Sequence, residues 1–181
     1  KGILWTAWIG TPIHEFGHAF FAKLFRHKIQ SISLFRPDKA SGNLGHVEHS
    51  FNPRSPYQRI GNFFIGAAPM IWGSLVLITL LYIFIADAKN IFAPLTEQAN
   101  TLSSFFHNII YFLSHLFSKE NLVSWQFWVF LYISFSISSH MAPSKADRKG
   151  MWSGLILIIF FIIIINAITL YFGTDITRYI L

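Results

Sequence analysis

The chain contains no cysteine. Disulfides, thiolate metal ligands and a cysteine nucleophile are excluded, so any metal site must be built from His, Asp and Glu. Charge is scarce too. Asp, Glu, Lys and Arg make up 12% of the 181 residues, about half of what a soluble domain carries. Apolar residues fill the gap: 53% are hydrophobic, 18% are aromatic, and the mean hydropathy is +0.47. This balance points to an integral membrane protein, with residues 1–181 forming a single membrane-embedded domain. The net charge of +6 fits basic loops facing a lipid bilayer, and no nucleic-acid partner is expected. The chain opens on Lys1, which leaves room for a leader or a span upstream.

Four apolar stretches are long enough to cross a bilayer as helices: Ile3–Phe25, Ile60–Ala86, Leu122–Met141 and Met151–Phe172. Pro12 lies within the first, where a helix can kink. Gly10 and Gly17 let a neighbouring helix come close, and so does the small-residue run Gly61, Gly66, Ala67, Ala68, Pro69 and Gly73. Ser134, Ser136, Ser138, Ser139 and His140 must face protein or a water-filled cavity. The last stretch is apolar nearly throughout and reads as a lipid-facing wall.

Between the first two stretches, Ile29–Phe35 and Leu44–Phe51 alternate as strands around turn residues at Pro37-Asp38 and Ser41-Gly42-Asn43. They predict a β-hairpin. Its His46, Glu48 and His49 have the look of a second metal site, although a solvated strand face accounts for them as well. Within Asp87–Asn121, Leu102, Phe105, Phe106, Ile109, Leu113 and Leu116 recur at helical spacing. They predict an amphipathic helix in the interface, with His107 and His115 on its solvated side. The fold expected is an all-α membrane protein of about four transmembrane helices. A β-hairpin follows the first, and an interfacial helix separates the second and third. Residues 3–150 form the core, and 151–172 add a further helix.

The first stretch carries His14-Glu15-Phe16-Gly17-His18, an H-E-x-x-H string. Two histidines four apart share one face of a helix and can bind one zinc ion, Zn2+. Glu15 then sits beside the metal, able to take a proton from the water that zinc activates. A carboxylate in an apolar span is costly unless it has a task. Zinc in a hydrolase takes three protein ligands and keeps one position open. The longer pattern H-E-x-x-H-x-x-G-x-x-H fails, because Phe21 and Leu24 fill its Gly and His positions. Glu48 falls in the hairpin. Glu97 and Glu120 fall across the membrane.

Lys and Arg give the orientation. Arg26, Lys28, Arg36, Lys39, Arg54 and Arg59 crowd the first loop, and Lys145, Arg148 and Lys149 crowd the turn after the third stretch. The far side has Lys1, Lys89, Lys119 and Arg178. The basic bias places the hairpin, the Asp147 turn and the active site toward the cytoplasm, in the cytoplasmic (inner) membrane. Asp147 then lies at the same end as the histidines and is the preferred third ligand. His140 and the hairpin residues are the alternatives, and an ordinary ion pair with Arg148 or Lys149 is the plain reading of Asp147.

These residues resemble the site-2 protease family of intramembrane zinc metalloproteases over about Ile3–Gly150. His14-Glu15-Phe16-Gly17-His18 matches the family's first motif. His140-Met141-Ala142-Pro143, leading to Asp147, is similar to its Asn-x-x-Pro stretch and the Asp that follows. The hairpin and Gly66-Ala67-Ala68-Pro69 have family counterparts too. His140 stands where the family has Asn, Arg148 where Gly follows the Asp, Ala68 where Gly precedes the Pro, and Trp72 where Asn is common. The resemblance implies His14, His18 and Asp147 as zinc ligands and Glu15 as general base. It gives His140 the Asn role of polarising the scissile carbonyl. A membrane-protein substrate, locally unwound, would add to an exposed hairpin edge through Ile32, Ser33 and Leu34. No PDZ-like segment is present in these residues, so regulatory membrane partners are expected. The competing function is a non-enzymatic membrane scaffold or transporter subunit whose His and Asp residues carry metal or protons.

Overall fold

The computed structural model describes residues 4–38, 42–96 and 101–171. The expected span ends at Ile3 and Phe172 lie outside them, as do Ser41 of the expected turn and Lys1, Lys39, Glu97 and Arg178 of the charge and ligand arguments. The first apolar run forms α1, Leu4–Leu24, continuous through Pro12. It stops in a tight cap. Arg26 takes a positive φ of 59°, while Arg26 N–H donates to the Lys23 carbonyl at 3.0 Å and His27 N–H to the Ala22 carbonyl at 2.8 Å. This paired bonding is a helix ending that reverses the chain.

The chain leaves that cap as β1, Lys28–Ser33, which pairs antiparallel with β2, His46–Ser50. The register matches Ser33 with His46 and Ile32 with Val47, and it slips between Ile29 and Ser31. The hairpin folds back along α1. Its Phe35 and Pro37 share a hollow with Leu4, Trp5 and Trp8 at the other end of that helix. Arg36 is therefore far from Arg26, and the basic residues of this loop do not gather at one end of α1.

Ser55 caps α2, Pro56–Phe84, by accepting from Gln58 N–H, and Pro56 opens the helix. The small-residue face is buried as expected. A Cβ added at Gly17 would lie 3.1 Å from Trp72 Cβ and 3.2 Å from the Ala68 carbonyl, so α1 and α2 touch nearly backbone to backbone. Two short helices, α3 (Ala88–Thr96) and α4 (Leu102–Leu116), follow. The periodic residues form α4 as expected, with Thr101 and Ser104 making a reciprocal cap at its start. His115 is exposed and stacks on Tyr111. Leu81, Ile85, Ala88, Ile91, Leu116, Phe127 and Phe130 form the buried apolar cluster that ties this end together.

The expected third span differs. It divides into α5 (Lys119–Val123) and α6 (Trp125–Ser138), because the Ser124 hydroxyl accepts from Phe127 N–H and starts a new helix there. The expected fourth span also changes. Its helix α7, Lys145–Tyr171, begins six residues before Met151. Ser144 N–H donates to Asp147 Oδ2 at 2.7 Å, and Asp147 N–H to Ser144 Oγ at 3.2 Å. This is a capping box. It draws Asp147 out of the expected turn and into the first turn of α7.

α7 runs antiparallel to α2. Asp147 and Met151 lie against Gly66, and Gly154 lies against Phe63 and Arg59. After Gly154 none of its described residues is buried, as a lipid-facing wall requires. Among the described residues two helices, α2 and α7, are long and apolar enough to cross a membrane. α6, with 14 residues, rises about 21 Å.

Candidate metal centre

α1, α2, the α6–α7 connection and the hairpin converge on His14 and His18. One helical turn places both imidazoles on the same side of α1, with ring centroids 4.8 Å apart. Each is held by a backbone carbonyl. His14 Nδ1 lies 2.6 Å from the His140 carbonyl oxygen, and His18 Nδ1 lies 2.7 Å from that of Ile65. A carbonyl only accepts, so both Nδ1 atoms carry the proton. In the neutral rings both Nε2 atoms are therefore bare lone pairs, and they face each other at 3.1 Å. Asp147 completes the group, with Oδ1 3.5 Å from His18 Nε2 and Oδ2 4.0 Å from His14 Nε2.

Lone pairs and a carboxylate at this spacing repel unless a cation lies between them. Tetrahedral zinc with bonds of about 2.0–2.2 Å has ligand atoms about 3.3–3.6 Å apart. The three ligand atoms all lie within 4.8 Å of one another, so the donor set fits a metal ion. The carbonyl bonds to Nδ1 are the outer contacts that fix a ligating imidazole. Among the described residues, this is the His, Cys, Asp and Glu group able to hold a metal. Arg148 does not pair with Asp147. Its guanidinium donates to the Pro143 carbonyl at 2.7 Å.

Glu15 is buried, 8% exposed, and stands outside the three-ligand group. The hairpin rests on it: a Cβ added at Gly45 would lie 2.9 Å from Glu15 Cγ and 2.8 Å from the Ser33 carbonyl. Two hollows meet here. One, of about 290 Å³, runs between Asn43–His49 of the hairpin and Ser144–Asp147, with His14, Glu15 and His18 at its base. The other, of about 330 Å³, opens toward Thr11, Ser139 and His140.

β2 lines the first hollow. Ile32, Ser33 and Leu34, expected to contact substrate, line neither. His140 Nδ1 is 3.0 Å from the Ser136 carbonyl oxygen. Ser139 Oγ lies 3.0 Å from the same nitrogen, so His140 either donates from Nδ1 to Ser136 or accepts there from Ser139 and keeps an Nε2–H for a carbonyl.

The hairpin's ionisable groups do not form a second metal group among the described residues. Ser31 Oγ donates to Glu48 Oε2 at 2.8 Å, on the strand face opposite His49. His49 instead pairs with His27, Nδ1 to Nδ1, at 3.0 Å. His27 Nε2–H donates to the Gln58 carbonyl at 2.9 Å, so His27 Nδ1 accepts from His49. Burial holds both imidazoles below their ordinary pKa, which keeps this buttress neutral. His27 escaped the sequence reading because its partners are 22 and 31 residues away.

No family model matches the chain, and no curated protein or solved structure matches it.

Proposed function

We propose that the protein is an intramembrane zinc endopeptidase acting on membrane-protein substrates. Support comes from one arrangement above all: two tautomer-locked imidazoles and Asp147 converge while Glu15 stays uncommitted beside them. In this reading α1 and the α5–α6 unit join α2 and α7 as four spans, with the site toward the cytoplasmic side of the inner membrane and regulatory partners in the same bilayer. Bound zinc supplies a Lewis acid for the peptide carbonyl and acidifies a water molecule. Glu15 accepts that water's proton and returns it to the departing amine. Gly45 keeps Glu15 reachable by carrying no side chain. The hairpin roof and the α6–α7 connection confine the reacting groups and limit bulk water.

Recognition of an unwound segment falls to β2 rather than β1. A two-stranded sheet leaves an unpaired edge on each strand, and His46, Val47 and His49 of β2 line the hollow above His14 and His18. Proline placed at β2 positions whose N–H points away from β1 removes one edge donor while sparing the hairpin. Such variants are expected to slow cleavage with metal content unchanged, and proline on the outer edge of β1 to have no effect. Equal slowing by both sets, or by neither, rules out the β2 edge as the contact.

The reading as a whole is tested on protein purified without added metal. Mass spectrometry should find about one zinc per chain, and cleavage of a transmembrane reporter in vesicles should stop with a chelator and return with zinc. Metal or proton flux across those vesicles with no cleavage would falsify the protease reading in favour of a transporter.

A further inference from the structure

The roof of the first hollow carries a half-buried acceptor that the proposed chemistry leaves unused. His49 of β2 lines that hollow together with His14, Glu15, His18 and Asp147. His18 and Asp147 lie close enough to act on its charge. A chain of bonds settles where its proton sits. The Gln58 carbonyl takes the Nε2–H of His27, so His27 Nδ1 is a lone pair and accepts from His49 Nδ1–H at 3.0 Å. The other nitrogen of neutral His49, Nε2, is then a bare acceptor. It bonds to no described residue, yet it is not one of the unpaired side-chain atoms closed off from solvent. Nδ1 and Nε2 sit on opposite sides of an imidazole, so the nitrogen turned away from His27 is the one presented to the hollow.

An unwound substrate brings the matching need. Unwinding a helix frees main-chain N–H groups, and each one left unpaired away from water is costly. The other side-chain acceptors of the hollow are committed. His14, His18 and Asp147 converge on the metal position, and Glu15 serves the water. Ser144 Oγ accepts from Asp147 N–H, and Asn43 already has a partner. His46 lines the hollow too, but no hydrogen bond within the described residues fixes its proton. His49 alone among these side chains offers an acceptor that is both open and locked in one tautomer.

We propose that His49 Nε2 accepts the main-chain N–H of one unwound substrate residue beside the scissile peptide. This role rests on the protease reading. His27 is the positioning residue, since it holds the tautomer of His49 from behind. The ligand class is a secondary amide N–H. The contact makes no demand on the side chain at that position, with one exception: proline has no N–H to give and is disfavoured there.

His49→Asn and His49→Gln in the full chain, loaded with zinc and carrying Glu15→Gln, test the role without turnover. An asparagine amide reaches the position of Nδ1 and keeps the bond to His27. A glutamine amide reaches the position of Nε2 and keeps the acceptor. The probe is a reduced-amide peptide copied from the cleaved segment of a transmembrane reporter, N-methylated at one residue at a time. With His49 present, methylation at one position should weaken binding about tenfold. His49→Asn should bind the unmethylated peptide about tenfold more weakly and lose that discrimination, with zinc content and Tm unchanged. His49→Gln should bind and discriminate as His49 does. A residue that only buttresses the hairpin gives the reverse order, with asparagine tolerated and glutamine impaired. Parental binding by His49→Asn, weaker binding by His49→Gln than by His49→Asn, or the same methylation pattern in His49→Asn as in its parent overturns the role. If the protein with Glu15 intact still cleaves the reporter, the protease reading survives that loss. A protein with Glu15 intact that cleaves nothing overturns both.

Discussion

Glu15→Gln should keep its metal and lose cleavage by at least roughly 10²–10⁴. Glutamine preserves the shape and the contact beneath Gly45, but its amide does not accept the water's proton. Glu15 lies outside the three atoms that converge on the metal position, so zinc content should match the parent. Asp147→Ala should behave differently. It removes the carboxylate 3.5 Å from His18 Nε2 and leaves two lone pairs without the third donor, so metal content and cleavage should fall together. His140→Ala is the counter-test. It keeps the backbone carbonyl that holds His14, so zinc should persist. Metal retained in Asp147→Ala and lost in His140→Ala would transfer the ligand role to His140. Full cleavage by Glu15→Gln would end the protease reading.

A larger structural effect is expected from a residue that touches no metal. Gly66 of α2 lies under the first turn of α7, where an added Cβ would overlap the Asp147 carbonyl oxygen and the Met151 side chain. The carbonyl belongs to backbone and cannot swing aside. Gly66→Leu should therefore push the start of α7 outward and carry Asp147 off its position. Metal sites tolerate ligand displacements of only about 0.2 Å, and even outer contacts are worth roughly 10–100-fold in affinity. Zinc affinity should fall by at least that much, measured by competition with a chromogenic chelator. Gly150→Ala is the matched control at the same interface, since its Cβ would meet the Asn62 carbonyl at an ordinary 3.6 Å. If Gly66→Leu binds zinc as tightly as Gly150→Ala, the close approach does not position Asp147.

The sequence carried α1, the hairpin, α2 and the His14–His18 pair in its local patterns, because apolar runs, alternation and i, i+4 spacing are properties of neighbours in the chain. Asp147 was read into the metal group but placed in a loop. The charged string Lys145–Lys149 hid a helix start that Ser144-x-x-Asp147 announces as a capping box. Which strand borders the hollow is not legible in the sequence for another reason. Alternation says which side chains share a face, not which edge of the hairpin meets the site. His27 is invisible in the sequence, since it is defined by distant partners.

The shortness of α6 matters for the second reactant. A hydrocarbon core is about 30 Å thick, and 14 residues cover about two-thirds of it. A bilayer meeting so short a wall thins locally, or draws polar groups inward to meet it. The helix ends at Ser138, one residue before Ser139 and His140 of the hollow that holds Thr11 and Glu15. Each turnover of a hydrolase consumes one water molecule, and lipid is a poor supplier. If the proposed protease crosses the bilayer through the α5–α6 unit, the end of α6 at Ser138 would leave the thinnest stretch of hydrocarbon where that molecule is needed.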